Sequence, residues 1–161
     1  MNNQYIPADY VVVANKITDE VAVKLSKKYN MKLMGSTGGM ADCVNVIGLS
    51  FQIRGPLSQE ILRKILVGCV EEFLVSINAN EQLRPFLKNY PFTPHEIEIE
   101  IFVVDDTGKK IYDPEIGVAT AKHGGLRYHT KAREPGYLFG YKTTTREDYN
   151  AALKIVKGSQ P

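Results

Sequence analysis

The stretch "HEIEIEIFVV", residues 95–104, alternates isoleucine with glutamate. A period of two puts Ile97, Ile99, Ile101 and Val103 on one side of a strand and Glu96, Glu98 and Glu100 on the other. One buried face and one wet face is the habit of an antiparallel sheet. Upstream, "NYPFTP" (89–94) reads as a rigid connection, because three prolines at 85, 91 and 94 forbid a long helix there. Before it, Ser58 caps a helix whose apolar positions are Ile61, Leu62, Ile65, Leu66, Cys69, Val70, Phe73, Leu74 and Ile77. Those two i, i+4 rows predict a broad stripe lying across the core.

Working outward, Thr18 reads as an N-cap and the spacing of Val21, Leu25 and Tyr29 predicts a helix over 18–29, with Asn30 at its exit. Residues 1–16 read as an N-terminal extension with a short strand around Tyr10 to Val13, and 17–161 as one domain. Residues 31–34 and 44–53 read as two strands joined by a glycine loop, with a bulge at Gly48. Downstream, Asp105, Asp106, Thr107 and Gly108 signal a turn, after which 109–112 pairs back. Segments 117–122 and 126–131 flank a Gly124-Gly125 hairpin turn, and 137–143 is a further strand. Thr145 then caps a closing helix that faces inward through Tyr149, Ala152, Leu153 and Val156. Strands grouped in runs predict an α+β fold: an antiparallel sheet, a long central helix, and N- and C-terminal helices packed on one face.

At 161 residues the chain is long enough for one substantial core, and a net charge of +2 does not by itself imply a nucleic-acid partner. No run reaches the roughly 18 apolar residues of a membrane helix. Asp9 and Asn15 around three valines do not make a signal peptide either. A soluble chain is expected, cytoplasmic or exported with its leader removed. Cys43 and Cys69 have no CxxC or CxxH neighbour, so no zinc site is expected, and sequence leaves open whether they pair.

Three places carry chemistry. Gly35, Ser36, Thr37, Gly38 and Gly39 form a stretch whose amides and hydroxyls suit an anion. No Lys follows, however, and the next element is a strand, so the phosphate-loop pattern is incomplete. The stretch therefore reads first as a hairpin loop, with an anion or nucleotide cradle as the alternative. The glutamates on the wet face lie about 7 Å apart, twice the rise per residue, which is wide for a single-ion cage. They read as a solvated face, and no metal is expected. The segment "KHGGLRYHTKAR" concentrates Lys122, His123, Arg127, His129, Lys131 and Arg133. Alternation puts Arg127, His129 and Lys131 on one strand face, suited to phosphate, RNA or an acidic surface. Pairing with Glu96, Glu98 and Glu100 accounts for the same charges without a ligand, and is favoured. Ser36, Thr37 or Cys43 could act as a nucleophile only if the fold brings His123 or His129 close. No GxSxG, SxxK or Cys–His signature is present, so enzyme status stays open and no cofactor is expected.

Three stretches, "KLMGSTGGM" (32–40), "LVGCVEEFLVSINANEQLRPFLKNYPFTP" (66–94) and "TREDYNAALKIVK" (145–157), resemble an uncharacterised family of bacterial proteins of unknown function. Some of its members look exported. The resemblance implies no activity and no site residues. The expectation is a non-enzymatic binding or protein-interaction module that meets an unknown protein partner or small anionic ligand through 122–133. The alternative is a small enzyme or ligand binder holding an anionic or nucleotide group at Gly35 to Gly39, assisted by His129 or Cys43. There is no strong nucleic-acid signal, and a homo-oligomer is compatible with the sequence.

Overall fold

Strand 97–104, with its alternating side chains, lies inside a six-stranded sheet whose strands run in chain order across it: β1 (Lys32–Gly39), β2 (Val46–Arg54), β3 (Ile97–Val104), β4 (Ile116–Lys122), β5 (Gly125–Thr130) and β6 (Thr143–Asp148). The helices are α1 (Asp9–Tyr29), α2 (Gln59–Ala79) and α3 (Tyr149–Gly158). The computed structural model describes residues 8–133 and 140–159. The α+β class holds, but the sheet is mixed rather than antiparallel: β2 and β3 run parallel, and every other neighbouring pair is antiparallel. The reason is the connection. Between β2 and β3 the chain makes a long crossover through α2, which returns it in the same direction.

Register then builds the core. Ile47, Leu49, Phe51 and Ile53 of β2 lie beside Ile97, Ile99, Ile101 and Val103 of β3, and Ala121 and Ala119 of β4 continue the rows from Ile99 and Ile101. All ten are buried. Helix α2 contacts β3, β4 and β5 and both other helices. It buries Leu62, Ile65, Leu66, Val67, Cys69, Val70, Phe73 and Ile77, with Ser58 capping it by accepting from the Ile61 amide. Ile61, expected in the stripe, is exposed, and Val67 is buried instead. Both cysteines are free, and burial pushes the Cys69 thiol up to about 12.

Of the extension expected at 1–16, residues 1–7 lie outside the described residues, and Asp9 to Lys16 are helix, not strand. From Asp9 onward the chain forms the first turns of α1, because Ala14 and Ile17 are buried and Tyr10 and Val13 pack against the same core. Tertiary burial at i, i+3, i+4 and i+7 overrides the strand preference of three consecutive valines. Thr18 is consequently not a cap. It lies buried inside α1, where its hydroxyl donates to the Ala14 carbonyl at 2.8 Å. Asn30 does end the helix, in the left-handed region at φ 52°.

The bulge falls at Met34 on β1, not at Gly48. Gly48 is needed for close approach: a Cβ there would lie 2.6 Å from Thr37 Oγ1 and 2.9 Å from the Glu98 carbonyl oxygen. The hairpin between β4 and β5 turns one residue earlier than expected, on His123 and Gly124, at φ 53° and 77°. That is the positive-φ pair a two-residue hairpin favours. The strand expected at 109–112 reduces to one bridge, Val104 with Lys110. Of the strand expected at 137–143, residues 137–139 lie outside the described residues and Thr143 opens β6. Thr145 is thus a strand residue, and Asp148 caps α3 by accepting from the Ala151 amide.

One long-range contact ties the edge strand β6 to α2. Glu147 accepts from Arg63 Nε at 2.9 and 3.0 Å and from the Gln59 amide at 3.3 Å, and each partner of the ion pair keeps 13% side-chain exposure. The buried Tyr128 hydroxyl sits beside them without a hydrogen bond of standard geometry. Burial works to raise the Glu147 carboxyl, but the Arg63 and Gln59 bonds and the Arg63 charge outweigh it and hold it below the ordinary range.

Two outcomes follow from this packing. Ile99→Ala should lower unfolding stability by about 2–5 kcal/mol in a denaturant titration. Glu98→Gln, one residue away on the opposite face, should change it by less than about 1 kcal/mol. A carboxyl depressed on folding stabilises above its unfolded value near 4.3 and loses that contribution as pH falls through the lower folded value. The melting-temperature gap between wild type and Glu147→Gln should therefore be widest near neutrality and narrow as the solution is acidified. A gap independent of pH would show that the Arg63–Glu147 pair contributes nothing through charge.

Candidate functional site

The face of the sheet opposite the isoleucines collects the charged residues. Its middle row runs Ser50 (β2), Glu100 (β3), Thr120 (β4), Arg127 (β5) and Arg146 (β6). A second row brings Val118, His129 and Thr144 together. Strand alternation alone sets these memberships.

The charges sort themselves by reach. Lys122 Nζ lies 3.3 Å from Glu100 Oε2, and His123 Nε2 lies 4.0 Å from Glu98 Oε1. The expected basic face of Arg127, His129 and Lys131 does not pair with the glutamates, because β4 lies between β5 and β3. The contacts come instead from Lys122, at the end of β4, and His123, at the hairpin turn. Glu96 takes no part in them. It belongs to a 3-10 turn, Pro94–Glu96, where it is buried and bonded to the Thr93 amide and hydroxyl and to Asn89. Lys131 and Arg133 also leave the group. The Lys131 stem packs near Gly117 with Lys110 close by, and Arg133 lies over the Tyr112 ring at 4.7 Å. Burial and the Lys110 charge lower the Lys131 ammonium.

Arg127 and Arg146 remain. They are directly opposite one another on β5 and β6, both exposed, and no described carboxylate lies within 4.0 Å of either. Like charges placed opposite across a ladder are destabilising in isolation. Next to them His129 is buried, its Nδ1 2.9 Å from Thr144 Oγ1 and its ring stacked on Tyr141 at 3.9 Å. Burial first, and then the charges of Arg127 and Arg146, lower its pKa, against an opposing pull from Glu100. His129 is held as a neutral imidazole between a hydroxyl and an aromatic ring.

The glycine stretch is not a loop. Gly35, Ser36, Thr37, Gly38 and Gly39 are the outer half of edge strand β1, paired with Ser50, Leu49, Gly48, Ile47 and Val46. None of its three glycines has a positive φ, so the amides alternate in direction instead of converging on one anion. Four strand spacings, roughly 19 Å, separate this strand from His129. Thr37 reaches over Gly48 toward Glu98, not toward a histidine. Cys43 Sγ donates to Asn45 Oδ1 at 3.4 Å. No described hydrogen bond links Ser36, Thr37 or Cys43 to a histidine, so the fold does not assemble the nucleophile–base pair that the enzyme alternative needs. His95 packs its ring against Gly124, beside His123. Among the described residues, no group of three or more His, Cys, Asp or Glu is placed to hold a metal ion.

Arg146, Thr144 and Tyr141 are the members of this face that sequence reading missed. Their segment was expected to be the end of one strand and a helix cap. The run of threonines in "TTTRED" is the strand signal that could have found them. The neutrality of His129 is checked by its ring resonances, which should titrate below about pH 6.5, the value of an unperturbed imidazole. Arg127→Gln should move that midpoint upward.

Comparison of the chain with family models, with curated proteins and with solved structures finds no match.

Proposed function

We propose that this is a non-enzymatic binding module of a bacterial protein, and that its contact surface is the charged sheet face formed by β5 and β6. One observation carries the reading. Glu100 and Glu98 engage Lys122 and His123, whereas Arg127 and Arg146 stand exposed and opposed with no described carboxylate in reach. An anionic group set between them would relieve that repulsion and satisfy donors that no described hydrogen bond engages. The surface is narrower than the segment 122–133: it keeps Arg127 and His129, adds Tyr141, Thr144 and Arg146, and leaves out Lys131 and Arg133, which follow β5 and turn to Gly117 and Tyr112.

Amide chemical-shift mapping with inorganic phosphate and with a short poly-glutamate peptide tests this surface. Perturbations should cluster on β5 and β6, around Arg127, His129, Thr144 and Arg146, for at least one of the two anions. Perturbations that instead cluster on α1 and α2, or along β1, would overturn the reading.

A further inference from the structure

We infer that Arg127 and Arg146 together clasp the phosphate of a mononucleotide whose base stacks on the free side of Tyr141; this rests on the binding surface proposed above and names its ligand.

The phosphate end follows from the geometry of the pair. Residues directly opposite on antiparallel strands have Cβ atoms about 5 Å apart, so two arginine stems rising from one such pair are long enough to reach one common anion. A guanidinium presents its donors in a plane that matches two oxygens of a phosphate, and two forks can take one tetrahedral anion from adjacent sides. Thr120 neighbours Arg127 in the same row. The aromatic end follows from Tyr141. One face of its ring rests on His129, yet the residue is still 45% exposed, which leaves a fixed aromatic platform beside the arginines. With His129 neutral, the stack carries no charge of its own toward a base.

Size and class follow from what borders the pair. Glu100 lies two strands from Arg127 in the same row and Glu98 in the next row, both half-exposed. Glu100 already takes up Lys122 and Glu98 lies beside His123, so a polyanion carried on across the sheet meets carboxylates and no free ammonium among the described residues of these rows. Two arginines flanked by glutamates suit one phosphate, not a nucleic-acid strand. A carboxylate ligand would satisfy one fork but leave the second fork and Tyr141 unused.

Titrations of the full chain with adenosine monophosphate, inorganic phosphate, poly-glutamate and a thymidine oligonucleotide, followed by amide shifts, decide the matter. Adenosine monophosphate should bind with shifts at Arg127, Arg146 and Tyr141. Arg127→Gln and Arg146→Gln should each weaken it about tenfold or more, since each removes charge-assisted bonds. Arg127→Lys, which keeps the charge, should weaken it comparably because an ammonium cannot bind bidentately. Tyr141→Ala should weaken the nucleotide and leave inorganic phosphate unaffected. Arg127→Gln and Arg146→Gln should melt no lower than wild type, because each relieves a like-charge pair, so their loss of binding cannot be ascribed to unfolding. Wild-type affinity in Arg127→Lys, or an oligonucleotide that binds more tightly with shifts running over Glu98 and Glu100, would overturn the mononucleotide assignment. Poly-glutamate shifting β5 and β6 while phosphate and nucleotide do not would also overturn it, leaving the binding surface intact. Silence from every anion on those strands would overturn both.

Discussion

Everything in this fold hangs on burying one side of β3. Ile97, Ile99, Ile101 and Val103 are held between parallel neighbours on β2 and small alanines on β4, with α2 packed over the rows. Burying side chains of this size contributes roughly 1.5–3 kcal/mol each, far more than any surface ion pair on the opposite side. Because the period of a strand is two, fixing that face fixes the other. Glu98, Glu100 and Phe102 are turned outward whatever their own preferences, and each strand added beyond β3 inherits the same division. The charged face is a by-product of the core.

The electrostatics of that face then resolve in steps of one strand spacing. Glu100 reaches the Lys122 ammonium, and Glu98 comes to 4.0 Å from the His123 ring, both at the β4–β5 hairpin. On the next pair of strands two arginines are set opposite each other, and on the core side of the same strands Glu147 is drawn inward to Arg63. Neighbours in the chain, Arg146 and Glu147, are thus separated by the sheet itself. The carboxylate next to Arg146 in the chain is used to fasten an edge strand to a helix.

Much of this could be read along the chain. The alternation of 97–104, the cap at Ser58 and most of the α2 stripe, and the turn at Asp105 all rest on contacts local in sequence. Where the reading failed, a distant contact had won. The valines of α1 prefer extended backbone, but their helix buries Ala14 and Ile17 against the sheet. Gly35 to Gly39 have the composition of a loop, but pairing with β2 draws them into an edge strand. "TTTRED" resembles a helix start until Glu147 is seen bonded to a residue 84 positions earlier.

By itself the sequence determined the α+β class and the two faces of β3, since periodicity and turn chemistry act over a few residues. Only the tertiary structure decided that β2 and β3 run parallel, because the direction of a returning strand depends on where the crossover helix packs. It also decided that Arg127 faces Arg146, because cross-strand neighbours are set by register between segments, and no local pattern encodes which two residues a register will bring together.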